Sequence, residues 1–342
     1  MNRYLPAEWH PQYAIQLTWP HAETDWHWIL ADIQVFYINL INTILEHEHV
    51  ILSVQDLSLV ETINRSLKQK KFKCHYYASQ NNDTWTRDHG PIAVIENNKL
   101  VIKDFIFNGW GQKFDASLDN QITQNLFNQN AYPSDQLDKV NFILEGGSIE
   151  SDGKGCLLTT RQCLLNTNRN SSLNQAQIEQ LLSSQLGIKK VLWLNHGDLL
   201  GDDTDAHIDT LARFAPNNQI IFQGCNDKND AHFDELQKMK AQLSELTNCP
   251  NEPFKLIELP WPDAQYDTES NDRLPATYAN FLFINNAVLL PTYGTPQDPI
   301  AVQTMQQALP EYKIIPIDCS MVIRQFGSLH CLTMQIPAAV NP

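Results

Sequence analysis

The sequence predicts an α/β fold built from a repeated hairpin, helix and strand, on three observations. Apolar runs meet at Asn- or Gly-containing turns four times along the 342 residues. The turn centres Asn97, Gly153, Asn217 and Asn285 lie 56, 64 and 68 residues apart. Between several of them run helical patterns, and no linker or low-complexity segment divides the chain, so residues 1–342 read as a single domain.

Ile29 to Glu48 comes first, as a long helix candidate. The first hairpin sets Pro91–Ile95 against Leu100–Phe105 across Glu96, Asn97 and Asn98. The second sets Ser148–Ser151 against Cys156–Thr160 across Asp152–Gly155. Pro216, Asn217 and Asn218 turn Thr210–Phe214 into Gln219–Gln223, and Asn285 and Asn286 turn Tyr278–Ile284 into Ala287–Pro291. Asn and Gly accept the positive φ that such tight turns need. Helices are expected over Asn174–Leu186, with Ile178, Leu181, Leu182 and Leu186 on one face, and over Asp230–Leu246. Each repeat is about a fifth of the chain, so five would close a ring around a channel. Four unrelated hairpins in a mixed α/β domain are the competing arrangement.

Composition excludes whole classes of function. Hydrophobic residues make up 42%, enough for a sizeable core, and the net charge is -15. Phosphate binding needs clustered Lys and Arg, so nucleic acid is not expected as a partner, whereas a cationic substrate suits an acidic surface. The start, Met1 to Pro6, has no apolar stretch of a secretory signal, and no run nears the length of a membrane helix. Seven irregularly spaced cysteines with no C-x-x-C pair suggest reduced thiols in a cytoplasmic protein, with one available for chemistry.

Several segments offer that chemistry. Phe326 to Ile336 reads as a short apolar strand carrying Cys331, and a cysteine there is commonly a small buried hydrophobe. His330 resembles a ready-made base, but strand neighbours point to opposite faces, so a base is expected from elsewhere. Gly201 to Thr210 supplies His207 and Asp209, which share a face in extended backbone and can orient a substrate and shuttle protons. Asp202 and Asp203 read as turn caps, since the run lacks the glycine and distal Glu of a calcium loop. Asn82 to Pro91 presents Asp83, Trp85, Arg87 and Asp88 ahead of a strand, although a solvated loop with an Arg–Asp pair has the same residues. Leu144 to Ser148 sets Glu145 beside two glycines and lacks the features of a phosphate loop. Glu46 to His49 reads as a solvated helix end, and no metal site is expected. Trp85 and Trp110 lie in polar loops, where either could wall a cationic substrate chain. The other tryptophans read as packing.

Together these stretches resemble the agmatine deiminase family of the guanidino-modifying superfamily. The matching residues are Leu17–Pro20, Asn82–Pro91, Phe107–Gly111, Leu144–Ser148, Gly201–Phe214, Pro275–Phe281 and Gly327–Gln335, in order along nearly the whole chain. The resemblance implies a five-fold pseudosymmetric α/β propeller of ββαβ units, one catalytic domain over 1–342. It also implies hydrolytic deimination of agmatine to N-carbamoylputrescine and ammonia, in polyamine metabolism, with no cofactor. Cys331 would be the nucleophile and His207 the general acid/base. Asp88 and Asp209 would hold the guanidinium, and Glu145 would support the site. Trp85, Trp110 and Asp83 are the candidates for binding the rest of the substrate.

The chemistry calls for such residues. A carboxylate matches two N–H groups of a planar, permanently charged guanidinium. Like charges oppose a thiolate, so a bound cation would assist its formation. Two departures from the common family pattern stand out. Many members carry Gly-Gly-Gly-Asn where this chain has Gln325, Phe326, Gly327 and Ser328, and Gly is common where it has Ala206. Alternatives are deimination of free or peptidyl arginine, with Arg87 or Arg324 clamping a carboxylate; transfer of the amidino group to an amine; and a noncatalytic binding protein on the same fold. A homo-oligomer is left open.

Overall fold

Each of the four turns closes an antiparallel hairpin. In the computed structural model, which describes residues 3–339, Ile92–Glu96 pairs with Lys99–Ile106 in a register that sets Glu96 opposite Lys99. The two residues between them, Asn97 and Asn98, have φ of 49° and 64°. Glu150–Ser151 pairs with Cys156–Thr160, Ala212–Ala215 with Gln219–Gln223, and Leu282–Ile284 with Ala287–Thr292. Met1 and Asn2, part of the stretch without a signal-like run, lie outside the described residues.

The second strand of every hairpin then takes a parallel partner from further along the chain. Those partners are Leu137–Ile143, Lys190–Leu194, Lys255–Leu259 and Lys313–Asp318. A helix precedes each: Ile122–Asn128, Gln175–Leu186, Phe233–Glu245 and Asp298–Ala308. The result is a mixed α/β fold of ββαβ modules. The middle strands read as continuous apolar runs because both faces are covered, as in Cys156–Thr160 and Ala287–Thr292. Edge strands differ. Lys313–Asp318 has only Ile314 buried, and Lys255 and Lys313 begin their strands exposed, a charge that discourages edge-to-edge pairing.

A fifth sheet joins the two ends of the chain. Met334–Pro337 lies antiparallel on Gln12–Thr18, which is followed by parallel His49–Val54 and Cys74–Ala78. The helix between the first two of these runs Leu30–Ile44, shorter than the expected Ile29–Glu48. Glu46–His49 therefore straddles a turn and a strand start, and His49 stacks against Phe72 and His75.

The chain forms two compact units. One holds His10–Gly146 and the segment from Cys331, with two of the sheets; the other holds Tyr4–Trp9 and Gly147–His330, with the remaining modules. The second unit's core gathers Leu158, Leu192, Ile208, Phe214, Phe222 and Met239. Its helix at Gln175–Leu186 starts with a capping box between Asn174 and Gln177 and stops at Gly187, φ 73°. Among the described residues no helix is long and apolar enough to cross a membrane.

Candidate active site

In the first unit, Asp88 sits on the single-turn helix Thr86–His89, with all four residues buried. Its Oδ2 accepts the indole N–H of Trp110 at 2.9 Å. Trp110 reaches it from an unusual loop, where Gly109, Trp110, Gly111 and Gln112 all have positive φ. A Cβ on Gly109 would stand 2.2 Å from the carbonyl of Phe114, so only glycine lets the loop close this tightly. Phe107 and Phe114 then pack edge-on against the indole at 5.0 and 5.6 Å.

Asp83 and Trp85 form a second pair on the same segment. The Trp85 indole donates to Asp83 Oδ2 at 3.0 Å, and the Thr84 amide donates to Oδ1 at 2.7 Å. The Asp119 carboxylate in turn accepts the amides of Asn82 and Asp83. Burial and the Asp119 charge push the Asp83 carboxyl up to about 8, and burial pushes Asp119 up to about 7. Asp83 is therefore largely protonated near neutrality and braces Trp85 more than it attracts cations.

Arg87 joins the Asp88 helix to the strand that follows Cys331. It is buried, and its Nη1 donates to Gln335 Oε1 at 2.6 Å and to Met334 Sδ at 3.6 Å. The loop carrying the fully buried Glu145 passes alongside: a Cβ on Gly146 would meet the Arg87 carbonyl at 2.2 Å. Arg87, one of the two arginines that the arginine alternative offers as a carboxylate clamp, is thus engaged inside the fold. Arg324, the other candidate, points Nε at Asp267 Oδ2, 3.4 Å away.

The C-terminal segment also departs from expectation. Cys331, 8% exposed, does not lie on a strand. His330–Leu332 is a 3-10 turn, and the strand begins only at Met334. The turn is prepared by Phe326, whose φ of 62° ends the 3-10 helix Val322–Gln325.

In the second unit, His207 and Asp209 do not share one extended run, because Ile208–Thr210 is again a 3-10 turn. Both are buried. Burial opposes the Asp209 charge, but the hydrogen bond from His330 and the charges of His330, His207 and Arg213 outweigh it and hold this carboxyl below the ordinary carboxylate range. The acidic run before His207 is a built turn. Asp202 accepts the amides of Thr204 and Ala206, as a cap should, and Arg169 grips Asp205 at 2.6 Å. Ala206 itself holds φ 63°. Ala206 and Phe326 therefore occupy left-handed positions where glycine is common in the resembled family.

A buried charge network includes Asp209, and of its members only Asp209 and His330 were singled out by sequence reasoning. His330 Nδ1 lies 2.8 Å from Asp209 Oδ2, and Nε2 lies 2.6 Å from Glu8 Oε2. Arg213 donates to Glu8 at 2.9 Å, to Glu150 at 2.6 Å and to the Phe281 carbonyl at 2.6 Å. Asn280 Oδ1 accepts the His330 amide, and its Nδ2 donates to the Asp209 carbonyl. Arg213 and Asn280 fall within motif stretches, while nothing local distinguishes Glu8.

In the first unit a buried carboxylate is tied to an indole N–H and a buried thiol sits at Cys331; in the second a buried carboxylate is tied to an imidazole. The chain belongs to the Porphyromonas-type peptidyl-arginine deiminase family, which it matches over residues 4–337, and to the agmatine deiminases within it. It is an enzyme of that type. A relative from Legionella pneumophila is 34% identical over 98% of this chain and 94% of its own. A C. jejuni agmatine deiminase with substrate bound, carrying a cysteine-to-serine substitution, is 40% identical, with 99% of this chain and 97% of that one covered and a TM-score of 0.91. An Enterococcus faecalis agmatine deiminase catalysing its reaction is 28% identical over 99% and 96%, with a TM-score of 0.90.

Proposed function

We propose that this chain hydrolyses agmatine to N-carbamoylputrescine and ammonia through a covalent amidino-cysteine. The similarity to the C. jejuni agmatine deiminase with substrate bound, 40% over 99% of the chain, carries the reading. In this reading the ββαβ modules form a five-fold α/β propeller that acts as one catalytic domain without a cofactor.

Asp88 and Asp209 hold the guanidinium, and Glu145 supports them. The Cys331 thiolate adds to the central carbon, giving a tetrahedral adduct. His207 gives a proton to the departing nitrogen, the C–N bond breaks, and ammonia leaves an amidino group on sulfur. His207 then takes a proton from water, whose oxygen attacks the same carbon. Loss of the thiolate yields the ureido product and restores Cys331. Trp85 and Trp110 wall the substrate chain, and Asp83 contributes by holding Trp85. Agmatine has no carboxylate, which agrees with the engagement of Arg87 by Gln335 and of Arg324 by Asp267. A cytoplasmic place fits the seven free cysteines, and the product is one that putrescine synthesis consumes.

The test is ureido-product formation from agmatine, free arginine and a blocked arginyl peptide, in EDTA, beside Cys331→Ala. Turnover of agmatine that the substitution abolishes supports the proposal. Preference for arginine moves the specificity while keeping the mechanism, and no product from any of the three overturns it.

A further inference from the structure

We propose that His330 is a positioning residue, held as an imidazolium between Glu8 and Asp209, that fixes the charge and direction of the Asp209 carboxylate. The inference rests on the reading of Asp209 as a guanidinium-holding group and deepens it.

The argument begins with the ring's two nitrogens. Nδ1 faces a carboxylate oxygen at 2.8 Å and Nε2 faces another at 2.6 Å, with His330, Glu8 and Asp209 all buried. A neutral imidazole has one N–H, so its other nitrogen would turn a lone pair towards an oxygen lone pair. Two donors require the cation, unless one carboxyl is protonated. Glu8 is placed as a carboxylate, since it accepts from Arg213 at Oε2 and from the Phe283 amide at Oε1, 2.8 Å away. Asp209 feels the nearby charges of His207 and Arg213, which favour its ionised form. The proton therefore belongs on the ring.

Those partners face His330 from separate elements. Glu8 comes from the Tyr4–Trp9 segment, Asp209 from the turn Ile208–Thr210, and Arg213 and Glu150 act through Glu8 and through each other. Asn280 holds the backbone amide of His330, and Cys331 is the next residue. The charges of this set are three carboxylates against two cations, a net of −1. A neutral His330 would leave −2 and could donate to only one of the two carboxylates.

The experiment uses the full chain with 15N-labelled histidine. His330, assigned by its loss in His330→Asn or, should that variant not fold, by its through-space contacts to Asn280, is followed by NMR from about pH 6 to about pH 9, a range that spans ordinary imidazole titration. Two protonated ring nitrogens throughout are expected. A ring titrating near the ordinary value overturns the proposal. Glu8→Gln removes one partner carboxylate while keeping size and an acceptor. It should let His330 deprotonate inside that range and raise KM for agmatine about tenfold, more than it lowers kcat, the scale of one hydrogen bond to a charged group. A Glu8→Gln ring still doubly protonated throughout overturns the proposal. The spectroscopic result needs no turnover, so an enzyme inactive on agmatine with an imidazolium at His330 would fail the functional reading alone.

Discussion

The indole N–H of Trp110 meets Oδ2 of Asp88 at 2.9 Å, with the ring 8% and the carboxylate 4% exposed. A hydrogen bond to a buried charge contributes about 1.5–3 kcal/mol, and it also fixes the plane of the carboxylate. Trp110→Phe keeps an apolar ring and removes the donor. It should lower kcat/KM for agmatine about 10–100-fold and lower stability by up to about 3 kcal/mol. Kinetics on the two proteins check this, and an unchanged kcat/KM would mean that Asp88 takes its orientation from elsewhere.

The loop that delivers Trp110 depends on Gly109. Its φ of 66° costs about 1–2 kcal/mol for a residue with a side chain, and a new Cβ would stand 2.2 Å from the Phe114 carbonyl. Gly109→Ala should therefore destabilise by more than about 2 kcal/mol or displace the loop, with activity falling in either case. Urea unfolding measures the first outcome. A variant as stable and as active as wild type would contradict this account of the loop.

The pair Asp83 and Asp119 gives the protein a pH dependence with a defined sign. Both carboxyls are raised in the fold, to about 8 and about 7, from ordinary values near about 4. Their ionisation is harder in the folded state, so they withdraw stability as pH rises from about 4 to about 8. Asp202, raised by burial, adds in the same direction. His89 opposes them at lower pH. Burial lowers it to about 3, so the unfolded chain binds its proton first and stability falls as pH drops below 6.5. Between about pH 6.5 and 8 the two raised carboxyls stand without that opposition. Tm should fall across this window, and Asp83→Asn should flatten the fall. A Tm that rises there, or a slope the substitution leaves intact, would sink the idea.

Local chemistry made four of the hairpins legible, because Asn97, Gly153, Asn217 and the Asn285–Asn286 pair mark turns needing positive φ, although in the last it is Asn286 rather than the expected centre Asn285 that has it. The antiparallel pair of the sheet that joins the chain's ends has no turn to read: Gln12–Thr18 and Met334–Pro337 come from opposite ends of the chain. The site was legible as residue types within motifs, but its backbone was not. Both Cys331 and Asp209 lie in 3-10 turns where alternation suggested strands, and the left-handed Phe326 that prepares the first of these carries no turn signature. Glu8 was invisible for a different reason. Its partners are Arg213 and His330, hundreds of residues away, and a lone Glu before a Trp carries no local signal.

Ala206 offers the sharpest check on how the chain tolerates its departures from the family. It precedes His207, is 2% exposed and holds φ 63°. Ala206→Gly would relieve about 1–2 kcal/mol of left-handed strain. Against that stand about 0.8 kcal/mol for the lost buried methyl and about 0.4–1 kcal/mol of added unfolded-chain entropy. These terms offset, so the Gly variant should lie within about 1 kcal/mol of wild type. Ala206→Val has no such compensation. A β-branched side chain is a backbone outlier at positive φ, and two extra methyls overpack a core to which Ala206 belongs with Leu158, Ile208 and Leu211. It should cost more than about 3 kcal/mol in urea unfolding and carry His207 out of place, lowering kcat. A Val variant with wild-type stability would show that the Asp202 cap and the Arg169 clamp, rather than the left-handed residue, shape this turn.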